Sequence, residues 1–246
     1  MAKKDILVVS AHAADYCTRA GGTIARYIKE GYKVHVISVT YGARGESGNY
    51  WKDKPNGTEE DCGAIRHRES QAAADYLGAT IEFWNHPDYP LHFDEERQRR
   101  LTRRVLDIRP EIVLTHWIND PTNLDHELTA RATVNAVSSA AQIGAFPDTP
   151  AHPFPNMFFF ESTVPYSEFN TFNPDIYINI DSVFETKMEA IKRFECQPQL
   201  GAYYVHFAKH RGFQATSWLK ETVTYAEAFK RYFPYVGTLL PLVERS

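Results

Sequence analysis

Short apolar runs alternate with amphipathic stretches along the first half of the chain. The run at residues 6–10 (ILVVS) is typical of a strand that is buried on both faces in a parallel sheet. The pattern predicts strands at residues 6–10, 33–40, 80–84 and 112–115, and helices at 21–30, 64–77, 95–108 and 127–141. Successive strand–helix pairs indicate right-handed βαβ units. We therefore expect an α/β fold, a Rossmann-like three-layer sandwich with a mostly parallel central sheet.

The second half of the chain is less regular. Residues 142–173 are rich in Pro, Phe and Asn, and they predict a long loop that carries one strand at 157–160. A strand at 176–180 and helices at 182–194 and 221–232 are expected to follow. No linker, repeat or low-complexity segment interrupts the sequence, so residues 1–246 are predicted to form a single domain.

Charge and apolar content narrow the class of protein. A formal net charge of -4 and a pI near 6.2 argue against a general nucleic-acid binder, because neutralising phosphates requires a basic surface. No apolar run approaches the roughly 18 to 20 residues that span a bilayer, and the first residues lack a signal-peptide pattern. We therefore expect a cytoplasmic protein with no membrane partner.

The cysteines and histidines indicate which metal ligands are available. Cys17, Cys62 and Cys196 are too few and too dispersed for a disulfide framework or a cysteine-based zinc site. The chain has ten histidines, so nitrogen and oxygen ligands are expected if a metal is bound.

Two histidines and one carboxylate stand where predicted strands end. His12 and Asp15 follow the first predicted strand. His116 directly follows the fourth predicted strand, and His126 stands at the end of the loop after it. The carboxyl ends of parallel strands meet at one edge of the sheet, and imidazole nitrogen and carboxylate oxygen suit Zn²⁺. We expect one divalent metal, most simply Zn²⁺, on His12, Asp15 and His126, with one coordination position open. Taken separately, these motifs are more often a capped turn and a helix start.

A series of short motifs extends over nearly the whole chain. They are Ala11-His12-Ala13-Ala14-Asp15, Gly45-Glu46-Ser47-Gly48, Arg66 with Glu69, Leu77-Gly78, Asn123-Leu124-Asp125-His126, Arg211-Gly212, and a helix with Tyr225-Ala226-Glu227 and Phe229. In this order they resemble the PIG-L/LmbE-type zinc-dependent N-deacetylases. The resemblance implies an LmbE-like α/β fold and a zinc ion held by the three residues proposed above.

The chain departs from the deacetylase pattern at residues that hydrolyse the amide. Ala14 stands where the deacetylases have the aspartate that activates water, and a methyl group cannot accept a proton. Asn123 stands where they have a histidine that stabilises the charged intermediate. The Ala-His-Ala-Ala-Asp variant resembles instead the 4-oxalomesaconate hydratases of this superfamily, which add water to a carbon–carbon double bond in gallate and protocatechuate breakdown. The resemblance therefore implies a metal-dependent hydro-lyase that acts on an unsaturated oxo-tricarboxylate.

Hydration of such a substrate needs an acid/base group and counter-charges for the carboxylates. Glu46 is the candidate acid/base in place of the missing aspartate, although an arbitrary loop Glu is more often solvated. Arginine binds carboxylates bidentately, and a polyanion would need two or three cations. The candidate substrate contacts are Arg44, Arg66, Arg211, His116 and Asn123.

Alternative functions stay open at this point. An amidohydrolase acting on an N-acetylated sugar would release acetate, whereas a non-catalytic metal-binding protein would turn over neither amides nor organic acids. A nucleotide-dependent oxidoreductase is disfavoured, because the turn after the first strand lacks Gly-x-Gly-x-x-Gly. The aromatic residues Tyr203, Tyr204, Tyr232 and Phe233 lead us to expect a homo-oligomer.

Overall fold

In the described part of the chain, one mixed sheet of seven strands forms the centre of the fold. The computed structural model describes residues 4–164, 167–219 and 222–242. The strand order is β3-β2-β1-β4-β5-β7-β6; β1 to β5 run parallel, and β7 is antiparallel to β5 and β6. The strands are β1 (Asp5–Ser10), β2 (Lys33–Thr40), β3 (Thr80–His86), β4 (Ile112–His116), β5 (Asn156–Phe160), β6 (Ile176–Asn179) and β7 (Ala226–Arg231). The predicted α/β fold with a mostly parallel sheet is confirmed.

Helices cover both faces of this sheet. They are α1 (Asp15–Lys29), α2 (Gly48–Asp53), α3 (Glu59–Leu77), α4 (Glu95–Ile108), α5 (Leu124–Ala140), α6 (Ser167–Asn170), α7 (Phe184–Ile191) and α8 (Leu200–Leu219), with a 3₁₀ turn at Asp181–Val183. Ile6 and Val8 of β1 pack with α1, α3 and α7, whereas Leu7 and Val9 pack with α4 and α5. Burial on both faces explains why β1 is apolar without alternation. None of the described helices is long and apolar enough to span a membrane.

The predicted helix at 221–232 is wrong, because Ala226–Arg231 forms β7. (Residue 221 lies outside the described residues.) Ala, Glu and Lys favour helices, but pairing with β5 and β6 overrides this weak preference. Glu227 is buried in β7, where its carboxylate accepts hydrogen bonds from Lys187 Nζ at 2.6 Å and from two backbone N–H groups of α1. The negative charge of Glu227 is therefore stabilised by buried hydrogen-bond donors rather than by solvent.

Other differences concern helices that the sequence pattern missed or shortened. Helix α8 was not predicted, and α1 begins at Asp15 rather than at residue 21. Helix α3 begins at Glu59 because the Thr58 hydroxyl caps it by accepting the N–H of Asp61 at 3.1 Å. The prediction that residues 1–246 form a single domain stays a prediction.

Candidate metal centre and active site

The candidate site lies at the carboxyl ends of β1, β2 and β4. His12 and Asp15 lie in and after the turn that connects β1 to α1, and His126 lies in the first turn of α5. Glu46 lies in the loop between β2 and α2. The parallel strands thus deliver four polar side chains to one edge of the sheet, where α/β proteins place their ligands.

Three donor atoms converge in this buried position. His12 Nδ1 lies 3.2 Å from His126 Nε2, and Asp15 Oδ2 lies 3.3 Å from the first nitrogen and 3.5 Å from the second. Four tetrahedral ligands about 2.0–2.1 Å from a zinc ion would stand about 3.3–3.4 Å apart. The three residues, which are all buried, therefore fit a small divalent cation.

Two further carboxylates orient the histidine rings. His12 Nε2 lies 3.3 Å from Asp125 Oδ2, and His126 Nδ1 lies 2.9 Å from Asp120 Oδ2. An N–H on each of these outer nitrogens leaves the lone pair of the other ring nitrogen directed at the donor cluster. Carboxylates commonly orient metal-binding histidines in this way.

The electrostatics also favour a cation at this point. Burial disfavours protonated His12, but hydrogen bonds with Asp125 and Asp15 and the charge of Glu46 outweigh it and raise its pKa to about 10. Burial would likewise raise the pKa of Asp15, but the charge of His126 and a hydrogen bond with His12 hold the pKa of this carboxyl well below its usual range. The carboxylates are therefore ionised, and they stabilise positive charge among them.

Glu46 is held beside the donor cluster by three neutral groups. Its Oε1 lies 3.9 Å from His12 Nδ1, accepts a hydrogen bond from Asn123 Nδ2 at 2.9 Å, and accepts one from the Tyr89 hydroxyl at 3.4 Å. Its Oε2 accepts from Gln197 Nε2 at 3.2 Å. Burial and the neighbouring charge of Glu46 raise the pKa of Tyr89, so the phenol stays a donor. The carboxylate is therefore positioned by donors that do not neutralise it.

Glycine allows the backbone of this loop to approach the site closely. Gly42 has a φ of +70°, and a Cβ there would lie 2.9 Å from Glu46 Cβ and 3.2 Å from His12 Cβ. A Cβ on Gly45 would meet the ring of Tyr89 at 2.1 Å. Both positions therefore favour glycine for steric reasons that concern the site itself.

An open cavity of about 260 Å³ adjoins the donor cluster. Its walls include His12, Ala14, Asp15, Glu46 and Arg66, together with Arg19, Gln197 and residues of α8. Ala14 contributes only a methyl group beside the metal donors. A proton acceptor is thus available on this cavity from Glu46 but not from residue 14.

The arginines selected from the sequence have protein carboxylates as partners. Arg66 is fully buried and its Nη1 donates to Glu69 Oε2 at 3.0 Å, while its Nη2 has no partner among the described residues. Arg44 is 42% exposed and pairs with Glu59 at 2.8 Å. Arg211 pairs with Glu161 and lines two neighbouring cavities instead. Only Arg66 of these three lies on the cavity over the donor cluster.

His116 lies behind the donor cluster. Its Nε2 accepts the N–H of Ala11 at 2.9 Å, and its ring stacks on His126 with centroids 4.0 Å apart. Burial and the charge of His126 lower its pKa to about 3, so the ring is neutral. His116 therefore supports the His126 ring rather than lining the cavity.

Comparison with known proteins identifies the family. Residues 7–137, more than half of the chain, match the PIG-L family of GlcNAc-PI de-N-acetylases. The chain belongs to the PIG-L family. Within it, the chain is 37% identical to a 4-oxalmesaconate hydratase of Pseudomonas putida over 238 residues, which cover 95% of this chain and 91% of that protein.

The solved structures that resemble this chain likewise include a hydratase and a deacetylase. GalB, described as the 4-carboxy-2-hydroxymuconate hydratase from Pseudomonas putida, superposes with a TM-score of 0.92 at 36% identity, covering 97% of this chain and all 100% of GalB. The N,N'-diacetylchitobiose deacetylase of Pyrococcus horikoshii superposes with a TM-score of 0.77 at 19% identity, covering 94% and 84% of the two chains. That second likeness shows the fold alone. The resemblance to PIG-L proteins and to their hydratase members is confirmed.

Some residues of this PIG-L site were missed by sequence reasoning. Tyr89 and Gln197 hold Glu46, Asp120 orients His126, and Arg19 lines the cavity. Arg19 had a detectable signal, because it is the one charged residue between Asp15 and Arg26 in a segment of small and apolar residues. Tyr89 and Gln197 come from loops far apart in sequence, and no local pattern marks them.

Proposed function

We propose that this protein is a metal-dependent hydratase that adds water across the carbon–carbon double bond of 4-oxalmesaconate or a closely related unsaturated oxo-tricarboxylate. One observation carries the proposal: the donor atoms of His12, Asp15 and His126 converge beside a cavity that His12, Asp15 and Glu46 line, while residue 14 offers only a methyl group. The ligand set for a metal is thus kept, and the proposed proton acceptor stands at a different place from that of the deacetylases.

The residues of the site suit each part of the reaction. A bound divalent metal, most simply Zn²⁺, would polarise the oxo-acid end of the substrate and stabilise negative charge there. Glu46 accepts a proton from the attacking water, whose oxygen bonds to one alkene carbon as the π electrons shift towards the other. Glu46 then returns the proton to that second carbon, so both hydrogens of the water end in the product. Asn123 keeps Glu46 in place through its hydrogen bond of 2.9 Å.

The substrate would also contact Arg66. Its Nη2 is buried without a hydrogen-bond partner in the part of the chain that the structure describes, and the side chain lines the cavity. Arg44, Arg211 and His116 do not line this cavity, so the proposal gives them no substrate contact.

The proposed substrate places the enzyme in aromatic-acid catabolism, in the breakdown of gallate or protocatechuate. A tricarboxylate does not cross a bilayer unaided, because moving charged groups into hydrocarbon is costly. We therefore place the enzyme in the cytoplasm, where such an intermediate would be produced and consumed.

We also propose that the protein is a homo-oligomer. Phe233 is 55% exposed, and Val236, Leu240 and Leu242 are each about 90% exposed. Contiguous exposed apolar side chains commonly mark interfaces between proteins. Light scattering after size-exclusion chromatography tests this, and a mass of one 28.2 kDa chain at micromolar concentration would contradict it.

A direct activity assay tests the proposed reaction. The metal-loaded protein is incubated with 4-oxalmesaconate, and loss of the conjugated absorbance is expected because hydration removes the double bond. N-acetylglucosamine derivatives are assayed in parallel for acetate release. A flat absorbance trace with acetate release would indicate a deacetylase, and no turnover of either substrate would indicate a non-catalytic protein.

A further inference from the structure

Arg19 is a buried cation on the active-site cavity. It lies in α1, one helical turn after Asp15, and its side chain is 5% exposed. Nη1 donates to the carbonyl oxygen of Glu161 at 2.7 Å, and Nη2 donates to the Thr163 hydroxyl at 3.2 Å. Both acceptors are neutral, so they fix the guanidinium in position without compensating its charge.

The charge balance of Arg19 differs from that of the other arginines near the site. Arg44, Arg66 and Arg211 each donate a hydrogen bond to a protein carboxylate. Among the residues that the structure describes, Arg19 Nε has no hydrogen-bond partner, and its ion-pair partner is Asp15, whose Oδ1 lies 3.5 Å away. Asp15 is a proposed metal ligand, and its negative charge is then shared with the metal.

A buried guanidinium in this position can gain from an external anion. Among the described residues Asp15 is the one carboxylate paired with this guanidinium, and a substrate carboxylate that accepts from the free Nε–H would add a second counter-charge to the buried cation. The Nε atom is 3.5 Å from Asp15 Oδ1, so such an anion would lie next to the metal position rather than at the mouth of the cavity.

We propose that Arg19 is a specificity-determining residue that binds one substrate carboxylate, the one adjacent to the group held at the metal. This inference rests on the proposed function, because it assumes a polycarboxylate substrate. Arg66 contacts a different part of the same substrate, since its guanidinium already pairs with Glu69 at 3.0 Å. Arg19 therefore discriminates a tricarboxylate from a dicarboxylate of the same length.

Two inert ligands separate this role from catalysis. Propane-1,2,3-tricarboxylate and propane-1,3-dicarboxylate share one carbon chain and differ only in the middle carboxylate, and neither has a double bond to hydrate. Binding of each to the metal-loaded protein is measured by calorimetry for the wild type, R19Q, R19K and R26Q. Arg26 is the matched control, because it lies on the same helix and its exposed side chain donates to the Asn179 carbonyl at 2.7 Å.

We expect replacement of Arg19 to lower the binding affinity for the tricarboxylate alone. R19Q should weaken tricarboxylate binding by about tenfold to a hundredfold, the usual effect of losing a hydrogen-bonded charge, and should change dicarboxylate binding little. R19K should bind the tricarboxylate with intermediate affinity, because it keeps the charge but not the planar fork. R26Q should match the wild type for both ligands. In the hydration assay, R19Q should raise KM more than it lowers kcat.

Several results would overturn the inference. One is an R19Q variant that still prefers the tricarboxylate as strongly as the wild type does. Another is an R19Q variant that loses equal affinity for both ligands. A third is a wild-type protein that does not prefer the tricarboxylate to the dicarboxylate. If R19Q does not fold, R19K carries the same test. Binding needs no turnover, so a protein that binds the tricarboxylate through Arg19 but hydrates nothing contradicts the proposed function while supporting this inference.

Discussion

Replacement of Glu46 by Gln removes the proposed proton acceptor with little change in shape. The amide oxygen of Gln can still accept from Asn123 Nδ2, which lies 2.9 Å from Glu46 Oε1. The amide nitrogen cannot accept from Gln197 Nε2, which lies 3.2 Å from Oε2. One hydrogen bond to a charged acceptor is therefore lost. That loss costs about 1.5 kcal/mol, the low end of the usual range, because the Glu46 side chain is 24% exposed.

The effect of E46Q on activity should far exceed its effect on stability. A cost of about 1.5 kcal/mol lowers Tm by about 3–6 °C in a chain of this length, so the variant stays folded at 25 °C. Loss of a general base lowers kcat by about a hundredfold to ten-thousandfold. Glu46 is not among the three metal donors, so the metal content should be unchanged.

The assay compares E46Q with a matched surface variant. E59Q makes the same chemical change in the exposed pair with Arg44, and it should keep activity within about twofold of the wild type, since exposed ion pairs contribute little. Initial rates of 4-oxalmesaconate hydration, metal content and Tm are measured for all three proteins. Wild-type activity in E46Q, at equal metal content, would refute the role of Glu46.

Three further variants test the carboxylate that orients His126, a buried ion pair and a titrating histidine. D120N removes the charge that orients His126 and should weaken metal affinity by about tenfold to a hundredfold in competition with a chelator. K187M leaves Glu227 buried without its cation and should lower the free energy of unfolding by about 3 kcal/mol in urea, whereas an unchanged midpoint would contradict the pairing. Burial, followed by the charges of two arginines, lowers the pKa of His86 from 6.5 to about 4. Between about pH 4 and pH 6.5 the unfolded chain therefore binds more protons than the folded protein. The free energy of unfolding falls as the pH drops through this range, by about 1 kcal/mol after allowance for solvent screening. H86Q should flatten the dependence over this range, and an unchanged pH profile would count against this assignment.

The strands were well predicted where a local pattern reflects burial. The apolar run of β1 and the bounds of β2 and α4 follow from the spacing of apolar residues, because these residues are the ones that each element buries in the core. Helix α8 was missed because aromatic, basic and small residues are mixed along Leu200–Leu219, and no apolar stripe is visible. Strand β7 was mistaken for a helix because its neighbours in the sheet come from distant parts of the chain.

The candidate site was predictable to the extent that strand ends and family motifs define it. His12, Asp15 and His126 were selected together, and the structure brings their donor atoms within 4.8 Å of one another. The partners of the arginines could not be read from the sequence. Whether a guanidinium faces a carboxylate or a cavity depends on packing between elements, and this is why Arg19 was overlooked while Arg44 was selected.

Anomalous diffraction from crystals grown with Zn²⁺ tests most directly whether these three residues hold a metal. We expect one strong peak per chain, about 2.0–2.2 Å from His12 Nδ1, His126 Nε2 and one oxygen of Asp15, and no peak there in crystals of H126Q. A zinc-saturated crystal without a peak between these atoms, or with the peak retained in H126Q, would contradict metal binding by these three residues.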